Sequence, residues 1–268
     1  MSEIHKLFEE SKNFSTKYNK YFKIYDEIFS SYKDKKITFV EIGVHNGGSL
    51  EIWKKYFNKE SRIIGIDINP DCKKLERQGF EIFIGDQNDK FFWENFFKLV
   101  GKVDIILDDG GHRNEQQINT VVNCIPNINN GGIIAVEDTH TSYMKNFTYP
   151  KKYSFINFSK KIIDDVNFTY PNIGKFEFSL NKYVYSMNFY ESFVVFKIDK
   201  NLANLNTVAG NETLEQDIKM QDNMLIDRRI LEKKYSFFFK IKFFRKVLRY
   251  LIKIKKIWLN YKLKKYFD

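Results

Sequence analysis

The stretch Glu41-Ile42-Gly43-Val44-His45-Asn46-Gly47-Gly48-Ser49 follows a short apolar run and precedes a helical pattern that extends to Phe57. Glycine between a strand and a helix allows a tight turn and the close approach of a ligand. The next apolar run, residues 62–66, ends at Asp67. A carboxylate at the tip of that strand can accept hydrogen bonds from both hydroxyls of a ribose. The two features together predict a nucleoside-type cofactor site at the strand ends.

The alternation of apolar runs and helical patterns continues on both sides of this stretch. Alternation at this spacing is typical of a doubly wound α/β sheet with parallel strands and helices on both faces. We therefore expect a Rossmann-like, mostly parallel sheet of seven strands that ends in an antiparallel hairpin. The predicted strands are residues 37–43, 62–67, 81–85, 103–107, 131–136, 183–190 and 192–198, and the predicted helices are residues 3–32, 49–57, 90–100, 115–124 and 155–166.

Charge is distributed unevenly along the 268 residues, whose formal net charge is +10. Residues 228–268 hold 15 Lys and Arg against 2 Asp and Glu, and the rest of the chain holds 29 against 32. A mildly acidic body thus carries a strongly basic segment. We predict four parts: an N-terminal helical segment (1–36), the α/β core (37–200), a polar connection (201–227) and a basic amphipathic C-terminal helix (228–268).

Composition excludes several classes of protein. The chain is 43% hydrophobic and 17% aromatic, which is enough for a sizeable core. Two cysteines are too few for a disulfide framework or a cysteine-based zinc site. No run of about 18 apolar residues predicts a membrane span, and the first ten residues lack the apolar run of a signal peptide. We expect a cytoplasmic protein.

Acidic residues cluster after the fourth and fifth predicted strands. Asp108-Asp109-Gly110-Gly111-His112 ends one strand and Glu137-Asp138 ends the next. The carboxyl ends of neighbouring parallel strands form the ligand-binding crevice of such a sheet, so these side chains should converge. Crowded carboxylates repel one another, and a hard divalent ion such as Mg²⁺ or Mn²⁺ removes that repulsion. The alternatives are a polar turn, a helix cap and a structural histidine.

The glycine spacing departs from the G-x-G-x-x-G pattern of dinucleotide sites, and Glu41 would repel a pyrophosphate. Glu-x-Gly-x-x-x-Gly-Gly-Ser followed by a strand-end Asp resembles motifs I and II of class I S-adenosylmethionine-dependent methyltransferases. Gly85-Asp86-Gln87 stands where that class often contacts adenine. The resemblance implies S-adenosylmethionine as the cofactor. It implies these cofactor-binding residues: Glu41, Gly43, Gly47, Gly48, Ser49, Asp67, Asp86, Gln87 and Asp108.

The acidic cluster resembles a narrower family. Asp-Asp-Gly-Gly-His, followed by Gly-Gly-x-x-x-x-Glu-Asp-Thr-His-Thr-Ser-Tyr, is similar to the metal-dependent sugar O-methyltransferases of the macrocin and mycinamicin type, although Gly111 replaces a serine common there. The resemblance implies His112 as the general base and two vicinal sugar hydroxyls on the metal. His140 and Tyr143 could contact the sugar. The implied magnesium ligands are Asp109, Glu137 and Asp138.

The basic C-terminal segment has an apolar stripe and a Lys/Arg stripe at helical spacing from Phe237 onward. Such a helix can lie on a membrane surface, pack on protein or contact nucleic acid. We favour the membrane surface or protein packing, because the body is acidic and no nucleic-acid motif is recognised. The N-terminal helical segment could form a subunit interface, so we expect a homo-oligomer.

We predict a metal-dependent O-methyltransferase that acts on a sugar. The basic segment and the composition suggest a nucleotide-activated sugar, such as a heptose, or a glycan for bacterial capsular polysaccharide. One alternative is a catechol-type small-molecule O-methyltransferase. Another is an inactive methyltransferase-fold scaffold protein at the membrane. A nicotinamide-dependent reductase is disfavoured by the spacing of the glycines.

Overall fold

A seven-stranded sheet forms the centre of the computed structural model, which describes residues 2–147, 152–168 and 178–200 and scattered positions between 233 and 258. The strands are β1 (Thr38–Ile42), β2 (Arg62–Asp67), β3 (Glu81–Ile84), β4 (Val103–Asp108), β5 (Ile128–Glu137), β6 (Val184–Tyr190) and β7 (Phe193–Ile198). Their order is β3-β2-β1-β4-β5-β7-β6. The first five strands are parallel, and β7 runs antiparallel to β5 and β6. The predicted fold class is confirmed.

The register of the sheet brings the carboxyl ends of three strands to one level. Ile42 at the end of β1 pairs with Asp108 at the end of β4, and Asp108 pairs with Val136 of β5. The strand order reverses between β1 and β4, which is where open α/β sheets bind their ligands. Polar residues that follow β1, β4 and β5 therefore converge on one crevice.

Six α-helices cover the two faces of the sheet within residues 2–168. They are α1 (Glu3–Glu9), α2 (Asn19–Phe29), α3 (Gly48–Tyr56), α4 (Lys90–Val100), α5 (Asn114–Cys124) and α6 (Phe155–Asn167). Side-chain oxygens cap three of them, since Ser2 accepts a hydrogen bond from the His5 amide, Asp89 accepts one from the Phe91 amide and Ser154 accepts one from the Asn157 amide. A 3₁₀ helix at Pro70–Gln78, absent from our prediction, lies between β2 and β3.

The core has one layer on each face of the sheet. The layer under α1, α2 and α3 is aromatic: Trp53 is fully buried, and its ring lies 5.1–5.3 Å from the rings of Tyr25, Phe29 and Phe39. The layer under α4, α5 and α6 includes residues such as Trp93 and is richer in Val and Ile. The N-terminal helices thus belong to the core of the α/β unit.

The prediction of one helical stretch over residues 3–32 is wrong for residues 11–18, which we call the crossing segment. This segment is non-helical and runs over the start of α3. Glu51 Oε2 accepts hydrogen bonds from Ser11 Oγ at 3.1 Å and from the Lys12 amide at 3.0 Å. Ser, Asn and Thr are frequent in the segment, and their side chains compete with helical hydrogen bonding. The break lets α1 and α2 pack as separate helices.

The C-terminal segment belongs to a second unit that begins after residue 205. Eleven of its positions are described, and all are helical. They include Phe243, Tyr250 and Trp258, which are more than half exposed. Phe237, Ile241, Leu248 and the polar connection 201–227 lie outside the described residues. Within the described part of the chain, none of the helices has the length and apolar character needed to cross a membrane.

Replacement of Trp53 by Ala should strongly destabilise the α/β unit. The substitution empties a site that contacts three other buried aromatic rings, and losing a buried Trp costs about 3–5 kcal/mol of unfolding free energy. Leu99→Ala is the matched control, because Leu99 on α4 is 76% exposed. Urea unfolding followed by circular dichroism measures both variants. Equal unfolding free energies would contradict this description of the core.

Candidate functional site

A cavity of about 630 Å³ opens at the carboxyl ends of the parallel strands. Side chains from the loops after β1, β2, β3, β4 and β5 line it together with the crossing segment. The lining includes these predicted site residues: Gly43, Ser49, Asp67, Asp86, Gln87, Asp109, His112 and Asp138. Phe14, Ser15 and Thr16 of the crossing segment also line it, and the sequence analysis did not anticipate them.

The glycine loop after β1 leaves no space for side chains at two positions. Gly43 has φ +85°, and a Cβ there would lie 2.1 Å from the Asp109 carbonyl oxygen. A Cβ on Gly48 would lie 2.6 Å from the carbonyl oxygen of Asn13 in the crossing segment. Gly43 therefore lets the loop pack against the end of β4, and Gly48 lets the crossing segment pack against α3.

Asp67 at the end of β2 holds this loop in place. Its Oδ2 accepts hydrogen bonds from the amides of Val44 at 3.0 Å and His45 at 3.2 Å. Its Oδ1 accepts one from the Asn69 amide at 2.9 Å. The carboxylate lines the cavity, as predicted from its position after the strand. A ligand hydroxyl that binds Asp67 would therefore donate to a carboxylate that also accepts hydrogen bonds from the backbone of the cavity wall.

Some predicted cofactor residues lie behind the cavity wall. Glu41 is fully buried; it accepts a hydrogen bond from Ser49 Oγ at 2.7 Å, and burial raises its pKa to about 7. Asp108 is also buried, which raises its pKa, and both of its oxygens lie 3.1 Å from Gln87 Nε2. Gln87 Oε1 in turn accepts a hydrogen bond from the Gly111 amide. Glu41 and Asp108 therefore shape the loops that form the wall.

Three titratable side chains converge beside the cavity. Asp109, His112 and Asp138 each offer one ligand atom, and these atoms lie within 4.8 Å of one another. His112 Nε2 lies 3.9 Å from Asp109 Oδ1 and 3.6 Å from Asp138 Oδ2, beyond direct hydrogen-bond distance. The carboxylates of Asp109 and Asp138 remain partly accessible beside the His112 imidazole, and carboxylate oxygens are the donors that suit Mg²⁺ or Mn²⁺. This donor set fits a divalent ion.

The backbone at this cluster is strained. His112 has φ +55° and Asp138 has φ +54°, which lie in the left-handed region that residues other than glycine rarely adopt. Thr141 Oγ1 lies 2.7 Å from the carbonyl oxygens of both residues and ties the two loops together. Strain of this kind costs about 1–3 kcal/mol per residue and is concentrated at functional sites. The cluster is therefore held in place by its surroundings.

Glu137, the third predicted metal ligand, faces the interior. Its carboxylate is 1% exposed, and burial raises its pKa well above the usual value. Tyr25 donates a hydrogen bond to its Oε1, and Lys17 Nζ lies 3.2 and 3.1 Å from its two oxygens. Gln117 Nε2 binds its main-chain oxygen at 2.9 Å. Glu137 is thus satisfied by the N-terminal part of the chain.

Lys17 is a site residue that the sequence analysis missed. Its side chain is 3% exposed, and Nζ lies 2.6 Å from Asp109 Oδ2. Burial lowers the pKa of Lys17, but the carboxylates of Asp109 and Glu137 more than offset this, so its pKa lies well above the usual value. Several lysines lie close together in this part of the sequence, and no local pattern distinguishes Lys17 from the others.

The predicted substrate residues lie on the outer side of the cluster. Tyr21 donates a 2.5 Å hydrogen bond to Asp138 Oδ1, and its hydroxyl oxygen lies 3.0 Å from Ser192 Oγ, which also contacts His140 Nδ1. His140 lies 3.9 Å from Asp138 and is thus at the site. Tyr143 is 61% exposed and contributes nothing to the cavity lining. The structure brings His140 to the cluster and leaves Tyr143 outside it.

Residues 40–139 match the family model described as a methyltransferase domain. The chain is 30% identical over 159 residues to the 8-demethyl-8-alpha-L-rhamnosyl tetracenomycin-C 2'-O-methyltransferase of Streptomyces olivaceus, covering 55% of this chain and 42% of that protein. It is 33% identical over 130 residues to the demethylmacrocin O-methyltransferase of Streptomyces fradiae, covering 46% and 32%. The chain spans less than half the length of these curated relatives.

Solved structures show the same fold. MycE, the methyltransferase from the mycinamycin biosynthetic pathway, crystallised with Mg and SAH, superposes with a TM-score of 0.66 at 23% identity in crystal form 1, covering 74% of this chain and 55% of that one. A second crystal form gives a TM-score of 0.61 at 24% identity, covering 67% and 49%. At this identity the likeness establishes the fold. Residues 40–139 therefore match a methyltransferase domain, the α/β unit has the Rossmann-like methyltransferase fold, and the chain is similar to sugar O-methyltransferases of the macrocin and mycinamicin type.

Proposed function

We propose that the protein transfers the methyl group of S-adenosylmethionine to a sugar hydroxyl. The observation that carries the proposal is the Asp109–His112–Asp138 cluster at the edge of a cavity formed by the glycine loop and Asp67. A base beside two carboxylates suits the deprotonation of a hydroxyl. The similarity to the tetracenomycin and macrocin enzymes supports a sugar as the acceptor.

The residues that would hold the cofactor are those that line the cavity. Gly43, Ser49 and Asp67 lie on the side of the glycine loop, and Asp86 and Gln87 lie after β3. In our proposal these groups bind S-adenosylmethionine, whereas Glu41, Gly47, Gly48 and Asp108 act by shaping the loops. Positioning of the methyl donor against the acceptor accounts for much of the catalysis in such a transfer.

Asp109 and Asp138 would hold the divalent ion, with His112 beside them and Glu137 as the third ligand implied by the resemblance. Mg²⁺ or Mn²⁺ bound there would make a sugar hydroxyl more acidic. Asp109 directly follows β4 and Asp138 directly follows β5, and the resemblance implies that two vicinal sugar hydroxyls would complete the binding of the ion. In our proposal His140, whose Nδ1 lies 3.9 Å from Asp138 Oδ1, contacts the sugar.

His112 would remove the proton that the acceptor hydroxyl must lose. Its Nε2 atom lies between the two carboxylates and forms no short hydrogen bond to either of them. The strained backbone and the Thr141 contact hold the ring in this position. Histidine has a pKa near 6.5 in water, which suits a base that works near neutral pH.

A finer assignment of the acceptor is also a proposal. A nucleotide-activated sugar such as a heptose, or a capsular glycan, is supported only by the basic segment and the composition. The tetracenomycin and macrocin enzymes are named for antibiotic glycosides. A catechol-type substrate would use the same kind of carboxylate cluster, and competition between sugars and catechols in an activity assay separates the two.

Asp67→Asn should weaken the binding of S-adenosylmethionine by about tenfold or more, since hydrogen bonds to charged groups are worth about 1.5–3 kcal/mol. The asparagine keeps one acceptor for the amides of the glycine loop. Asp71→Asn is the matched control, because Asp71 is exposed and pairs with Lys74 at 2.7 Å. Calorimetric titration measures the dissociation constants. Unchanged affinity in Asp67→Asn would remove Asp67 from the cofactor site.

His112→Ala should retain cofactor binding and lose turnover by about 10²–10⁴, the range typical of a general base. His5→Ala is the control, because His5 stacks on Phe22 in α2 at 4.2 Å and has no role in the cluster. Methyl transfer to a sugar acceptor and calorimetric titration of the cofactor give the two readouts. Near-normal turnover in His112→Ala would exclude this residue as the base.

Removal of divalent ions should abolish methyl transfer, and added Mg²⁺ or Mn²⁺ should restore it. The expected reason is that an unassisted sugar hydroxyl is a poor nucleophile at neutral pH. Activity is measured before and after treatment with EDTA, with cofactor binding as the control for intact protein. Full activity in excess EDTA would show that transfer proceeds without a metal.

A further inference from the structure

The crossing segment places a fixed positive charge among the acidic residues of the site. Lys17 Nζ lies 2.6 Å from Asp109 Oδ2, 3.1 Å from Glu137 Oε2 and 3.8 Å from Glu41 Oε1. The side chain is 3% exposed, so the ammonium group has little access to water. One cation therefore contacts carboxylates that come from β1, β5 and the loop after β4.

The carboxylate oxygens of the predicted metal ligands fall into two groups: those that contact Lys17 or Tyr21 and those that face His112. Lys17 Nζ donates hydrogen bonds to Asp109 Oδ2 and to both oxygens of Glu137. Asp109 Oδ1 is the oxygen that faces His112. Tyr21 donates to Asp138 Oδ1, and Asp138 Oδ2 faces His112. The residues around α2 thus occupy half of the acceptor oxygens at Asp109 and Asp138 and all of those at Glu137.

A divalent ion at Asp109 and Glu137 would be close to the Lys17 ammonium. Like charges a few ångströms apart repel strongly where water is largely excluded, because the effective dielectric constant there is far below that of bulk water. Lys17 is attached to a segment that Glu51 holds through the Ser11 hydroxyl and the Lys12 amide. Because Lys17 belongs to this segment and its side chain is 3% exposed, we expect withdrawal of the ammonium group to disturb the contacts of the segment with Glu51.

We propose that Lys17 is a positioning residue that competes with the divalent ion for Asp109 and Glu137. With Lys17 in place, the ion is restricted to Asp109 Oδ1 and Asp138 beside His112 and binds weakly. When Lys17 withdraws, Asp109 Oδ2 and Glu137 Oε2 become available, while Tyr25 still donates to Glu137 Oε1, and the ion binds tightly. This inference rests on the proposed function only in placing a divalent ion at this cluster.

Titration of the full-length protein with Mn²⁺, followed by the electron paramagnetic resonance signal of the free ion, tests the competition directly. Lys17→Met removes the ammonium group and keeps an unbranched side chain of similar length. We expect it to bind Mn²⁺ about tenfold more tightly than the wild type, or more. Lys17→Arg keeps the charge and should resemble the wild type. The matched control is Lys20→Met, since Lys20 on α2 pairs with the exposed Glu191.

Equal affinities in the wild type and Lys17→Met, or weaker binding in Lys17→Met, would overturn the inference. Both results leave the proposed methyl transfer intact, because the ion still binds. Failure of Mn²⁺ to bind any of these proteins, including Lys17→Met, would overturn the proposed metal site together with this inference. Circular dichroism confirms that each variant is folded before it is titrated.

Hydrogen exchange on the unaltered protein provides a second test that needs no substitution. Binding of Mn²⁺ should speed up amide exchange in the crossing segment, where the Lys12 amide donates to Glu51. The amide of Phe57, bonded to the Trp53 carbonyl within α3, serves as the internal control and should not change. The exchange is compared at saturating Mn²⁺, where the tight mode is filled, and unchanged exchange in the crossing segment under that condition would contradict the withdrawal of Lys17.

Discussion

The architecture of the site depends on the burial of negative charge where parallel strands end together. The topology of the sheet places the carboxylates of Glu41, Asp109 and Glu137 within reach of one point. Burial raises the pKa of Glu41 and Glu137, because ionised groups lose their hydration there. The Lys17 ammonium compensates for part of that cost. Lys17, which precedes β1 in the chain, thus supplies the positive charge that the carboxylates at the ends of β1, β4 and β5 face.

A second layer of hydrogen bonds fixes the loops that carry the reactive groups. Gln87 Nε2 donates a hydrogen bond to Asp108, and Gln87 Oε1 accepts one from the Gly111 amide. These bonds connect the loop after β4 to the loop after β3. Asn114 at the start of α5 accepts hydrogen bonds from Ser142 and from the first amide of α6. These buried polar contacts hold the strained backbone of His112 and Asp138 in place.

Periodicity was sufficient to predict the sheet, because buried strands and amphipathic helices leave clear local patterns. The convergence of Asp109, His112 and Asp138 also followed from their positions after adjacent strands. The roles of Lys17 and Glu137 depend on long-range contacts with the crossing segment, which local patterns do not encode. The helical patterns on both sides led to the prediction of one continuous helix, because the Ser, Asn and Thr residues of the crossing segment between α1 and α2 have no periodicity of their own. All the assigned roles stay predictions: the metal-ligand roles of Asp109, Glu137 and Asp138, the base role of His112, the substrate roles of His140 and Tyr143, and the cofactor-binding roles.

The crossing segment packs tightly against Gly48, and this packing decides which residues must be kept when the domain is produced on its own. The carbonyl oxygens of Asn13 and Phe14 occupy the space that any side chain at Gly48 would need. The same segment supplies Phe14, Ser15 and Thr16 to the cavity wall. A fragment that begins at β1 would retain every recognisable motif and still lack one wall of its cavity. A domain fragment with a complete cavity must therefore begin before β1, at the first residues of the chain that pack on α3.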